Sequence, residues 1–365
     1  MKLSVTRQEL LDRLSEIQNI VEKRSTMPVL SHFLLDARAD GSSITATDIE
    51  TALREPIAVQ VESEGKLCIP ARKLFEIVRE MEDDITIESV DSQWIKVTSG
   101  RSAFRLACLS PDEFPSWPEL EQATQVTVAC KTLEGLIERT LYSAGESDTR
   151  YTLNGLLFHF IGPDFIVVGT DGHRMAMVKT TAERTTDDEL KVIVPRKTAN
   201  EIRKFLNRED ESVSISVGSN HILFRIADME FLARQIEGSY PNYTQVLPTR
   251  NDKTITVGRT AFIRALKRVS VISKERSNAV KVEIADGILR LSSSNPDLGE
   301  ASDEIAVSFD GEAFEAGFNA RYLLDVLGAM TTDSIRFELL DQLSPTLLKE
   351  EAGDDYKCVV MPMRI

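Results

Sequence analysis

Leu10, Leu14, Ile17 and Val21 recur at helical spacing directly after Thr6-Arg7-Gln8-Glu9, and the stretch predicts an amphipathic helix over 7–24. Thr6 and Glu9 stand as in a capping box, where each side chain satisfies a backbone amide of the other residue. Further helices are predicted at 71–82, 131–139, 196–208, 262–276 and 321–330. Between them the period changes to two. Ile85 and Ile87 alternate with Thr86 and Glu88, and Val213, Ile215 and Val217 with Ser214 and Ser216, as in strands with one buried face. The clusters ADGS, VGSN and ADG supply the turns.

This order of helix, strands, helix, strands occurs three times. Thr-Asp pairs end LLDARADGSSITATD and LLFHFIGPDFIVVGTD at Asp48 and Asp171, and CIPARKLFEIV is echoed by VIVPRKTANEI. FEAGFNARYLLDVL places Asn319 in the same slot again, and FPSW at 114–117 returns as YPNY at 240–243. The period is about 123 residues, longer than solenoid repeats, so each copy reads as a domain with its own core. The polar connectors at 119–125 and 247–252 place the domains at 1–122, 123–250 and 251–365. Each is expected to be α+β, two helices gathered on antiparallel sheets.

A length of 365 residues suits two or three domains, and 42% hydrophobic with 28% charged residues is a soluble globular composition. No apolar window is long enough for a membrane span, and the polar N-terminus lacks a secretory core. Cys68, Cys108, Cys130 and Cys358 lie far apart without a C-x-x-C pair, which predicts reduced, buried thiols and a cytoplasmic protein.

The net charge of −15 speaks against a simple nucleic-acid binder. Its distribution changes that picture. Helix 196–208 carries Arg196, Lys197, Arg203, Lys204 and Arg208 against Glu201, and helix 262–276 carries Arg264, Lys267, Arg268, Lys274 and Arg276 against Glu275. The other four predicted helices balance to zero, so the acidic excess sits in strands and loops. Copies arranged with their helices inward would present a neutral to basic surface to a polyanion, held without sequence preference.

The stretch GTDGHRMAMVK at 169–179 invites a catalytic reading through Asp171 and His173. The surrounding sequence does not support it. The histidines His32, His159, His173 and His221 show no metal-binding spacing, no G-x-S-x-G elbow is present, and no Walker phosphate loop occurs. A hydrolase remains only a secondary alternative, beside a partner-binding scaffold that does not encircle DNA.

PARK at 70–73, RYTLNGLLF at 150–158, TDGHRMA at 170–176, VPRK at 194–197, YPNY, FNARYLLDVL and the terminal YKCVVMPMRI resemble one family along the whole chain. It is the bacterial sliding clamp, the beta subunit of DNA polymerase III. The resemblance implies a non-catalytic processivity factor without cofactors. Three clamp domains would form half of a ring, and two subunits joined head to tail would encircle duplex DNA, with helices lining the hole. Implied partners are the replicative polymerase catalytic subunit, an ATP-driven clamp loader, and other polymerases and repair proteins carrying clamp-binding peptides.

The resemblance also assigns residues. A peptide cleft between the second and third domains would use Leu153, Thr170, Gly172, His173, Arg174 and Met175, with Pro241 and Val246 from the connector. The third copy and tail would add Tyr322, Leu343, Val359, Val360, Met361, Pro362, Met363 and Arg364. Arg24, Arg150, Tyr151, His173 and Arg174 would approach DNA. The dimer contact would join Phe104 and Leu106 to Val271 and Ile272, with Lys73 facing Glu300, Asp303 and Glu304. The first copy has TDIET where the second has TDGHR, as expected of a site used once. Glu146, Ser147, Thr152 and Gln245 depart from residues found in some relatives, which puts local DNA and peptide contacts in question.

Overall fold

The structure, a computed structural model, describes residues 1–22, 26–120, 123–207, 211–273, 277–309 and 311–364. Its helices are α1 (Arg7–Ile17), α2 (Ala71–Arg79), α3 (Cys130–Leu141), α4 (Arg196–Arg203), α5 (Arg259–Ser270) and α6 (Ala320–Ala329). Arg24 lies outside the described residues, as do Arg208, Lys274, Glu275 and Arg276 of the charge count.

All six predicted helices are present, but several are shorter than the pattern suggests. α1 stops at Ile17 because the chain tightens there, with the Ile20 amide donating to the Ile17 carbonyl. Ile20 and Val21 stay buried from this turn, so the apolar period outlasts the helix. The capping box forms by half. Thr6 accepts the Glu9 amide at 3.3 Å, while the Glu9 carboxylate accepts from the Ala58 amide and Arg13 instead. At α6, Asn319 caps the start by accepting from the amides of Arg321 and Tyr322, which fixes Tyr322 in the first turn.

The chain forms two compact units, each of which joins segments of more than one copy. The first comprises Met1–Cys130, Arg184–Thr186 and Lys204–Gln235. Its five-stranded antiparallel sheet runs Gln60–Ser63, Lys2–Val5, Ile85–Ser89, Trp94–Ser99, Ser102–Ala107, with the last strand at a free edge. It also holds the strands of a larger sheet in the order Thr124–Ala129, Ser212–Val217, His221–Ile226, Met229–Arg234, Thr51–Pro56, Ser43–Thr47, His32–Ala37, Gly65–Pro70. Strands of the first and second copies pair directly here, Ala52 opposite Leu232 and Thr51 opposite Ala233. That shared ladder is why copy boundaries do not bound the unit. α1 packs on α2.

The second unit comprises Lys131–Glu183, Asp187–Arg203 and Ile236–Ile365. Its eight-stranded sheet runs Leu190–Pro195, Gly155–Ile161, Asp164–Thr170, Arg174–Thr181, Tyr356–Val360, Thr346–Glu350, Ser334–Leu339, Lys253–Gly258. The same kind of junction recurs, Met175 opposite Val359 and Arg174 opposite Val360. A four-stranded sheet ends at the free edge Gly299–Ala306. α5 buries Phe262, Ala265, Leu266 and Val269 against these strands and α6, leaving Arg264, Lys267 and Arg268 exposed along one stripe.

Candidate functional site

The turn from Thr170 to Arg174 is built by its own side chains. Thr170 Oγ1 accepts the Gly172 amide at 3.1 Å and donates to the Arg174 carbonyl at 2.6 Å. Asp171 Oδ1 accepts the amides of His173 and Arg174 at 2.9 and 3.0 Å. Gly172 has φ +82°, a conformation that costs a residue with a Cβ.

Arg174 is the keystone. Only 10% of its side chain is exposed, and it pairs with Asp171 at 3.1 Å and Asp325 at 2.6 Å. It also donates to the Tyr142 carbonyl and lies 4.4 Å from the ring centroid of Tyr322. The His173 ring runs nearly parallel to that of Tyr322, 21° between planes. The Asp171 carboxylate is thus held by backbone amides and a guanidinium. The described residues contain no group of three His, Cys, Asp or Glu suited to a metal.

Beside this turn opens a recess of about 400 Å³. Its floor is the ladder in which Met175 faces Val359, extended by the Met361 amide donating to the His173 carbonyl at 2.9 Å. Leu153, Thr170, Gly172, His173, Arg174, Met175, Pro241, Val246, Val359 and Met361 line it, all expected of the cleft. Arg150, Tyr243, Gln245 and Pro345 line it as well. Tyr243 is mostly buried, and its hydroxyl lies 2.7 Å from His159 Nδ1, while His159 Nε2 lies 2.9 Å from Glu189. Burial lowers the proton affinity of His159, opposed by its bond to Glu189, and burial raises the phenol of Tyr243. Arg150 holds Asp148 through two side-chain bonds, which together with its own amide push that carboxyl down to about 2.

The remaining cleft residues fall elsewhere. Val360 does not face the recess, a correction to its expected role. It is fully buried one residue along from Val359, and alternate strand residues point to opposite faces. Tyr322 stands behind Arg174 and His173. Leu343, Met363 and Arg364 line a second recess of about 520 Å³ with Lys281, Glu315 and Gln342. Pro362 is half-buried between Met361 and Met363.

The expected DNA contacts also divide. Arg174 is committed to the turn. Arg196 donates to the carbonyls of Leu141 and Ala144 at 2.7 Å and pairs with Glu146, so it ties α3 to α4. Both assignments are corrected, because a guanidinium already engaged by protein acceptors has little left to offer a phosphate. Arg268 pairs with Asp303, and Arg203 with Glu138 at 3.6 Å. Tyr151, Lys197, Lys204, Arg264 and Lys267 are exposed.

Of the expected dimer residues, Phe104 is 40% exposed on the Ser102–Ala107 edge and Val271 is 74% exposed past the end of α5. Leu106 and Ile272 are half-buried. Lys73 pairs with Glu76 and Glu304 with Arg290 within the chain, and Glu300 meets Ser294.

Models for the N-terminal, central and C-terminal domains of the DNA polymerase III beta subunit match residues 1–118, 127–242 and 244–364. Similar full-length proteins include the beta sliding clamps of Pseudomonas putida, 37% identical, and Escherichia coli K12, 33% identical, with 100% of both chains covered in each case. Among solved structures, a Pseudomonas aeruginosa sliding clamp bound to griselimycin is 35% identical at TM-score 0.96, covering 100% of both chains. The Bacillus subtilis sliding clamp is 26% identical at TM-score 0.96, covering 100% of this chain and 99% of that one.

Proposed function

Because the chain belongs to the family of the bacterial DNA polymerase III beta subunit, the non-catalytic sliding clamps, we propose that it closes head to tail with a second copy into a ring around duplex DNA. The observation that carries this reading is the match of all three domain families along the full chain. Two of the sheet edges, Ser102–Ala107 and Gly299–Ala306, fit a heterologous contact, since one copy's edge can continue the other's ladder. Phe104 and Leu106 on the first edge, with Val271 and Ile272 beside the second, would supply the apolar contact, and Lys73 would exchange its internal pairing for Glu300, Asp303 or Glu304.

DNA would be held electrostatically, with Arg264, Lys267, Lys197 and Lys204 as the exposed cations and Arg150, Tyr151 and His173 at the rim. The recess at Gly172 and Met175 would receive an apolar anchor of a partner peptide, and the neighbouring recess at Leu343 and Met363 the rest of it. The polymerase catalytic subunit and other DNA-processing proteins would compete there, and a separate ATP-driven loader would open the ring in the cytoplasm. The test is topological. Protein loaded on a nicked circle must stay until the circle is cut and then slide off, whereas retention on the linear product overturns encirclement.

A further inference from the structure

We infer that the first unit carries a second peptide-binding cleft, quasi-equivalent to the one at Gly172 and selective for a short segment of a partner protein with an aromatic anchor beside a carboxylate. The inference rests on the proposed reading of the Gly172 recess as a peptide site.

The turn from Thr47 to Thr51 repeats three of the four side-chain-to-backbone bonds that build the Thr170–Arg174 turn. Thr47 Oγ1 accepts the Ile49 amide at 2.9 Å and donates to the Thr51 carbonyl at 2.9 Å, and Asp48 Oδ1 accepts the Thr51 amide at 2.6 Å. Ile49 has φ +78° where Gly172 has +82°. The floor is the matching ladder pair, Ala52 opposite Leu232 in place of Met175 opposite Val359. FPSW supplies Pro115 and Trp117 where YPNY supplies Pro241 and Tyr243.

A recess of about 660 Å³ stands at this place, against about 400 Å³ for its counterpart. The substitutions explain the difference and point to the occupant. Ala52 replaces the longer Met175 on the floor, and Trp117 packs against it and Leu232, so the recess presents an indole beside a shallow apolar floor, a surface suited to an aromatic ring. Trp117 forms one wall, with the Arg54 guanidinium 4.1 Å from its ring centroid. Ile49, 53% exposed, projects an apolar side chain at the lip from a backbone conformation that disfavours β-branching. Such strain is retained where a residue has work to do.

The charges complete the case. In a chain of net charge −15, this recess is lined by Arg54, Lys66 and Arg234 against Glu50 and Asp112. Arg54 is also paired with Glu230 at 3.3 Å and Lys66 with Asp36 at 2.8 Å, which leaves Arg234 as the cation for a ligand carboxylate. Arg234 and Glu50 make a loose pair at 3.9 Å with both side chains at least half exposed, so an incoming carboxylate can replace Glu50 there.

The test uses the full-length protein with Trp94→Phe, which leaves Trp117 as its sole indole. The probe is acetyl-Glu-Phe-Asp-Leu-Phe-amide, whose anchors suit both recesses, followed by Trp117 emission and by calorimetry. A saturable emission change that survives Val246→Asp and weakens about tenfold in Ile49→Asp is the expected result. Ile49 is exposed and Asp tolerates positive φ better, so the variant retains the fold. Binding without an emission change, removed by Val246→Asp, overturns the second cleft and leaves the first standing. An emission change abolished by Val246→Asp reports transmission from the first cleft and also overturns the second. Calorimetry without binding at either place overturns the peptide reading of the Gly172 recess itself.

Discussion

The guanidinium of Arg150 lies so close over Gly172 that a Cβ on the glycine would sit 2.7 Å from Nη1 and 2.8 Å from Nη2. Arg150 also donates to the Asp171 carbonyl at 3.0 Å. The positive φ of the glycine and the lid formed by the arginine are therefore one device. Gly172→Ala is expected to cost about 1 kcal/mol of backbone strain and to lift Arg150 from the rim. Calorimetric titration with a clamp-binding peptide should show a weaker complex than the parent protein, with the loss reproduced in part by Arg150→Ala.

Arg174 holds two carboxylates and stacks on Tyr322 from a mostly buried position. Arg174→Met should leave Asp171 and Asp325 unpaired and destabilise the protein by about 3 kcal/mol. Thermal unfolding measures the loss. Adding Asp325→Asn should recover part of it, because the orphaned charge and not the missing contact dominates the cost.

His159 gives a pH dependence with a definite sign. Its proton affinity is lowered in the folded chain, so the unfolded chain takes up the proton first as pH falls. Its contribution is present above the ordinary histidine value of about 6.5 and is lost as pH drops through the lower folded value. Urea titrations at pH 8 and pH 5 should show a stability gap that narrows in His159→Gln, where no proton is taken up.

The four cysteines are buried. Burial pushes the Cys68 thiol up to about 12 and those of Cys108 and Cys358 up to about 11, so almost no thiolate exists at neutral pH. Ellman's reagent should leave the folded protein unlabelled and react with all four sites after guanidinium is added.

Val271 is among the most exposed apolar side chains of the described chain. Val271→Glu should therefore leave the folding stability of the subunit within about 0.5 kcal/mol of the parent while sedimentation shifts from the proposed dimer to monomer. An unchanged dimer would remove this surface from the contact.

The start of α1 was legible because Thr6 marks it as a cap, whereas α5, which no side chain caps, begins three residues before the expected 262, and the end of α1 was not legible either. Ile20 and Val21 reach the core from a turn, and periodicity records burial, not hydrogen bonding. The recess was legible through the resemblance at TDGHR and the C-terminal run. Tyr243 was overlooked as a wall although YPNY had been noted, since its role depends on His159, far away in sequence. That Arg150 covers Gly172 is not legible, because an exposed loop arginine looks the same in sequence whether or not it reaches back over a glycine. The engagement of Arg174 and Arg196 is not legible because part of it goes to the carbonyls of Tyr142, Leu141 and Ala144, which leave no trace in side-chain patterns, and part to Asp325 and Glu146, which lie far off in sequence.

The pairing of Met175 with Val359 makes the bottom of the recess out of main chain from two copies. A floor bonded in that way resists widening, since spreading it would break several backbone hydrogen bonds at once. In the proposed peptide-binding role, ligands would then be told apart by the residues standing around the edge, such as Gln245, Met361 and Val246. On that proposal, changes there would redirect which proteins dock while the scaffold beneath them keeps its form.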